Sequence, residues 1–164
     1  MIRLSKDQIE AIGSHGSQEF PHECVGVILG DVAKTAEGDI KIVRELRPLA
    51  NTFEASAEFE AAERQAVPGE EAPVYGRERR YLISPDEMFA LMQEERRTKR
   101  RVLGFYHSHP NHPARPSDTD LKASHAWYTY LIISILDGRP DALTAWRLND
   151  DQDSFVQEDI EQIS

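Results

Sequence analysis

With 164 residues the chain is long enough for one hydrophobic core and short for two, and 40% hydrophobic with 29% charged residues describes a folded domain carrying some solvated segments. No apolar run approaches the roughly eighteen residues of a membrane span, and the opening MIRLSKDQIE lacks the apolar stretch of a secretory signal. Of the net charge of −10, residues 54–73 hold six acids against one base and residues 149–164 six acids and no base, so the remainder is near neutral and offers no basic field for nucleic acid.

Ser5 followed by Gln8 forms a capping box, and Leu4, Ile9 and Ile12 supply an apolar stripe, so a first helix is expected over about 5–18. Residues 24–30, bounded by glycine, form a buried strand, and 40–47 form a second strand. The stretch 54–76, rich in Glu, Ala, Pro and Gly, is an acidic insertion with a short helix expected at 54–66. A short strand is expected at Tyr81–Ile83. Ser84-Pro85-Asp86-Glu87 then opens a helix that Met88, Leu91 and Met92 keep amphipathic to about Arg100. The basic residues at its end (Arg96, Arg97, Lys99, Arg100, Arg101) suit the helix dipole and a solvated face.

Val102–His109 is the next strand, followed by a helix from Ser117 to about His125. Strands at 129–136 and 142–148 are separated by the turn Asp137-Gly138-Arg139-Pro140. Residues 149–164 form an acidic tail, expected to be loose or weakly helical. Strands and helices alternate without a regular βαβ rhythm. The fold class is therefore α/β (α+β), with a mixed central β-sheet flanked by helices, in one domain over 1–148.

His107 and His109, two apart on a strand, project to the same face while Ser108 faces away. Pro110 ends the strand, Pro113 and Pro116 stiffen the loop, and Asp120 sits in the first turn of the helix opened by Ser117. Two imidazoles and a carboxylate make an open zinc site with one coordination position left for water. Each piece has a plainer reading: Ser-x-x-Asp is itself a helix-start pattern, and His-x-His alone is common.

Taken together, His107-Ser108-His109, the seven residues 110–116, and Ser117-x-x-Asp120 resemble the motif of the JAMM (MPN+) metalloproteases. Glu23, three residues before Gly26 at an early strand, fits the glutamate of that family. The resemblance covers residues 5–148 in a short bacterial version, and the acidic insertion and tail depart from it. It implies an MPN, cytidine-deaminase-like fold and one zinc ion held with a water by His107, His109 and Asp120. It further implies Glu23 as general base and Ser117 as the hydroxyl that stabilises the oxyanion.

The implied activity is cleavage of peptide or isopeptide bonds after the C-terminal Gly-Gly of ubiquitin-like or sulfur-carrier proteins. The alternative is a non-catalytic MPN-type scaffold that binds a protein. A nuclease-related role is disfavoured by the charge. No nucleic-acid or membrane partner is expected, and a homodimer stays open. His112 is the rival ligand, read as exposed or supporting, while His15, His22 and His125 fall outside the motif. Phe105, Tyr106 and Trp127 are read as core. Cys24 is read as a buried, inert thiol, and the lack of a disulfide fits a reducing cytoplasm.

Overall fold

The computed structural model describes residues 1–53 and 80–164; the expected insertion helix at 54–66 lies outside the described residues. Among those described, β1 (Ile2–Ser5), β2 (Val25–Thr35), β3 (Gly38–Leu49), β4 (Arg101–Pro110), β5 (Thr129–Leu136), β6 (Arg139–Leu148), β7 (Phe155–Glu158) and β8 (Ile160–Ile163) form one mixed sheet in the order β7-β6-β5-β4-β2-β3-β1-β8. The helices are α1 (Lys6–Glu19), α2 (Pro85–Thr98) and α3 (Asp118–Ala123). None of them is long and apolar enough to cross a membrane.

The two outermost strands, β7 and β8, are separated in sequence by Asp159 alone. Seven inter-strand spacings of ~4.8 Å would put the edges of a flat sheet roughly 34 Å apart, and one residue spans at most ~3.6 Å. The sheet must therefore curl until its edges meet near residue 159. Helix α1 lies against β1, β3, β4, β5 and β6, with Ile12 packed among Ile28, Leu103, Tyr106, Leu131 and Ile135. A Cβ on Gly16 would come within 2.7 Å of Ile135, so this glycine sets how closely the helix approaches β5.

Both helix starts read from the sequence form. Ser5 and Gln8 make the reciprocal capping box of α1, and Ser84 accepts from the Glu87 N–H at the head of α2. Helix α2 stops at Thr98 because Lys99 turns into the left-handed region at φ 62°. The basic residues after it meet acids: Arg100 pairs with Glu45, and Arg47, across the same surface, pairs with Glu94.

A strand the sequence did not announce, β1, precedes the first helix, and three expectations are corrected. Residues 81–83 join no ladder; Leu82 is held by the Thr52 N–H and by Asn51. The tail is neither loose nor helical: β8 pairs in parallel with β1 (Ile2↔Ile160 to Ser5↔Ile163) and β7 with β6. Its charges find partners far along the chain, Glu161 on Arg3 at 2.6 Å and Glu158 on Thr129. Trp127 is not core. It stands 40% exposed at φ 79°, with Lys41 and Arg101 over its ring at 4.6 and 4.5 Å. Phe105 and Tyr106 are buried as expected.

Candidate metal centre and catalytic cleft

β4 sits in the middle of the sheet between β2 and β5, so its C-terminal residues are buried on both sides. Alternation along it sends His107 and His109 to one face and Ser108 to the other. Ser108 binds Cys24 twice: its Oγ accepts from the Cys24 N–H at 2.8 Å, and its own N–H donates to the Cys24 carbonyl at 3.2 Å. The middle residue of His-Ser-His thus fixes the start of β2 beside the histidines, one residue after Glu23. Gly26 lets the two strands close here, since a Cβ on it would fall 2.2 Å from the Tyr106 ring.

Three potential ligand atoms converge. His107 Nε2 lies 3.1 Å from His109 Nε2 and 3.2 Å from Asp120 Oδ1, and His109 Nε2 lies 3.5 Å from Asp120 Oδ2. Donors at 2.0–2.1 Å around a tetrahedral cation stand about 3.3–3.4 Å from one another. The spacing fits a zinc ion. Tautomers fit as well. His109 Nδ1 is 2.9 Å from the Pro113 carbonyl, which can only accept, so the proton sits on Nδ1 and the Nε2 lone pair faces the cluster. His107 Nδ1 is buried with no hydrogen-bond partner. Among the described residues no group at Nδ1 selects its tautomer, whereas a cation on the Nε2 side would. Among the described residues these three make up the group able to hold a metal.

Asp120 shows that the capping pattern and the ligand pattern are one device. Its Oδ2 accepts from the Ser117 N–H at 2.7 Å and from Ser117 Oγ at 2.8 Å, while its N–H donates to Ser117 Oγ at 3.2 Å. The cap anchors one carboxylate oxygen and leaves Oδ1 against His107. Burial opposes ionisation of Asp120, but the facing His107 and the Ser117 N–H together hold its carboxyl well below the usual range. Burial likewise depresses His107, against the pull of Asp120, so the imidazole is neutral as a metal ligand must be.

Glu23 is buried and lines a cleft of about 220 Å³ together with His109, His112 and Ser117. His112 therefore stands at the cleft wall, outside the ligand cluster. His15 is elsewhere, with Nδ1 2.9 Å from the Tyr106 hydroxyl, and His125 donates its N–H to Tyr130. His22, exposed, lines a separate cavity with Glu19 and Cys24. Burial pushes the Cys24 thiol up to about 12, against a hydrogen bond from Ser108, which makes it a poor nucleophile.

Sequence reasoning missed two residues that hold the site. Asn51 Nδ2 donates to the Glu23 carbonyl at 2.9 Å and the Arg80 carbonyl at 3.0 Å, and Oδ1 accepts from the N–H groups of Phe53 at 3.1 Å and Leu82 at 3.2 Å. Tyr81, on the segment so tied, lies over the His107 ring with centroids 4.7 Å apart. An asparagine after a strand reads locally as a turn residue, and only the fold reveals its four partners.

Comparison with known proteins identifies the family. Residues 5–149 match the family model of prokaryotic homologues of the JAB domain. A desampylase of Haloferax volcanii is 30% identical over 146 residues, covering 86% of this chain and 85% of the relative. Solved structures of a Salinibacter ruber protein (32% identity, TM-score 0.62, 99% of this chain and 92% of the other) and a Desulfitobacterium hafniense protein (25%, 0.71, 99% and 93%) share the architecture. A JAB1/MPN domain protein of Archaeoglobus fulgidus, at 13% identity and TM-score 0.50 over 99% and 98% of the two chains, shares the fold alone. With the match running through the cleft and both sides of the sheet, the chain belongs to the prokaryotic JAB-domain family.

Proposed function

We propose that this protein is a zinc-dependent peptidase or isopeptidase that hydrolyses the bond after the C-terminal glycine of a ubiquitin-like or sulfur-carrier protein. The observation that carries this reading is the convergence of His107, His109 and Asp120 beside a cleft that Glu23 also lines. The relative named desampylase supports a hydrolase acting on ubiquitin-like conjugates. The narrow cleft, walled by Pro113 and Pro116, suits a Gly-Gly tail, whose backbone carries no side chains.

Bound zinc supplies a Lewis acid for the scissile carbonyl and lowers the pKa of a coordinated water to about 7. Glu23 takes a proton from the attacking water as the new C–O bond forms. It then hands that proton to the leaving nitrogen as the C–N bond breaks. Ser117 Oγ, which now donates to Asp120, turns its proton toward the developing oxyanion. Asp120 keeps its second donor, the Ser117 N–H, throughout.

The test is a Gly-Gly-tailed carrier fusion incubated with the zinc-loaded protein and with Glu23→Gln, products read by mass. Cleavage at the glycine by the wild type, lost in Glu23→Gln with zinc content retained, is expected. Equal cleavage by both would remove Glu23 from the reaction, and no cleavage by either would defeat the reading.

A further inference from the structure

The loop from Asn111 to Pro116 is fixed along its length. The Asn111 N–H donates to Ile135, and its Oδ1 accepts from the Asp137 N–H. The carbonyls of His112, Pro113 and Ala114 accept from Ser134 Oγ at 2.7 Å, His109 Nδ1 at 2.9 Å and Thr144 Oγ1 at 2.6 Å. The Arg115 N–H closes the loop onto Pro113 at 2.8 Å. An exposed arginine is ordinarily a solvated surface group. Arg115 differs in what it faces, because it lines the catalytic cleft beside Glu23, His109 and Ser117 and also a second cavity of about 340 Å³ with Asp141, Thr144 and Trp146. It lines both cavities, and among the described residues no carboxylate pairs with it.

We infer that Arg115 is a specificity-determining residue that binds a carboxylate of the substrate's leaving residue. This rests on the hydrolysis proposed above. A cleft of about 220 Å³ is ~7 Å across if taken as a sphere, the span of about two extended residues, so a group reaching Arg115 through this cleft adjoins the scissile bond. A Gly-Gly tail brings no charge to that place. The leaving residue does, through its free α-carboxylate when it is the last residue of the chain, or through an acidic side chain. A guanidinium on a loop whose backbone is fixed matches a carboxylate in two parallel hydrogen bonds, and only the arginine side chain has to be ordered. A lysine side chain released from an isopeptide bond carries no carboxylate next to the cleaved bond and gains nothing from Arg115.

The experiment uses synthetic hexapeptides ending Gly-Gly-Ala as free acid, Gly-Gly-Ala as amide, and Gly-Gly-Asp as amide. Hydrolysis by the zinc-loaded protein should prefer the free acid over the alanine amide by about ten- to a hundredfold in kcat/KM, the range of a charge-assisted hydrogen bond. Arg115→Gln should bring that ratio close to one, and Arg115→Lys should keep part of it. If the aspartyl amide recovers the preference, the carboxylate is read from a side chain; if it does not, from the chain terminus. Calorimetric binding of the same peptides to the Glu23→Gln protein, with and without Arg115→Gln, reads the contact even where nothing is cleaved. Absence of cleavage with tighter binding of the acid would defeat the proposed reaction and keep the Arg115 contact. Equal affinity for acid and amide, no binding of either, or a preference that survives Arg115→Gln would overturn it.

Discussion

Replacing Asn51 with alanine removes four hydrogen bonds at once, two that it donates to the Glu23 and Arg80 carbonyls and two that it accepts from Phe53 and Leu82. At about 1 kcal/mol each, and less for the exposed Leu82 bond, the loss is about 2–4 kcal/mol. For a domain of this size that lowers Tm by roughly 5–12 °C. Activity should fall further than stability at a temperature where the fold persists. The clamp sets where the main chain delivers the Glu23 carboxylate, and a displacement of ~1 Å costs about a hundredfold in rate. Asn51→Asp keeps the two bonds accepted by Oδ1 and sets a carboxylate oxygen against the Glu23 and Arg80 carbonyls, so it should loosen the Glu23 side of the clamp selectively. Calorimetry at 25 °C and above, paired with kcat on the Gly-Gly fusion, reads both quantities. A variant that melts early but turns over at the wild-type rate would refute the positioning argument and leave Asn51 as an ordinary loop tie.

Ser117→Ala removes an N-cap and one donor to Asp120, so it should cost about 1 kcal/mol in denaturant melts and about 10²–10³ in kcat while zinc content is retained. Cys24 should resist iodoacetamide at pH 8 in the native protein and react on unfolding, because its thiol is pushed up to about 12; rapid native alkylation would contradict that burial. Burial lowers Lys41 to about 8, against Glu158 and reinforced by Arg147, so the folded state disfavours its ammonium form. The penalty is fully present below pH 8 and is relieved as pH rises toward the ordinary 10.5, by up to about 3 kcal/mol. Urea melts of wild type and Lys41→Met should therefore differ by an amount that changes across pH 8–10.5, and a constant difference would refute it.

Much of this molecule is written locally. Ser5 with Gln8, Ser84 with Pro85, and Ser117 with Asp120 each specify a helix start within four residues, and the three helices of the described residues begin there. The period of two that aims His107 and His109 together is equally local, and the family resemblance implied Asp120 as their partner, with which they converge. What could not be read is non-local. β1, β7 and β8 are four residues each, and β8 exists because Ile2–Ser5 offers it a partner at the other end of the chain. Of the acids that made the tail look solvated, Glu161 pairs with Arg3 and Glu158 with the Met1 ammonium and the Thr129 hydroxyl, residues no window around 158–161 contains. Trp127 looked like core by type, yet its backbone turns into the left-handed region and its ring lies beneath two cations.

The central claim is that His107, His109 and Asp120 share one divalent cation beside Glu23, and anomalous diffraction at the zinc edge tests it most directly. The account predicts one peak bonded to the Nε2 atoms of both histidines and to an Asp120 oxygen at about 2.0–2.2 Å, and its loss in His109→Ala. A peak seated elsewhere, at His112 or His22 for instance, or no peak in crystals grown with zinc, would contradict it.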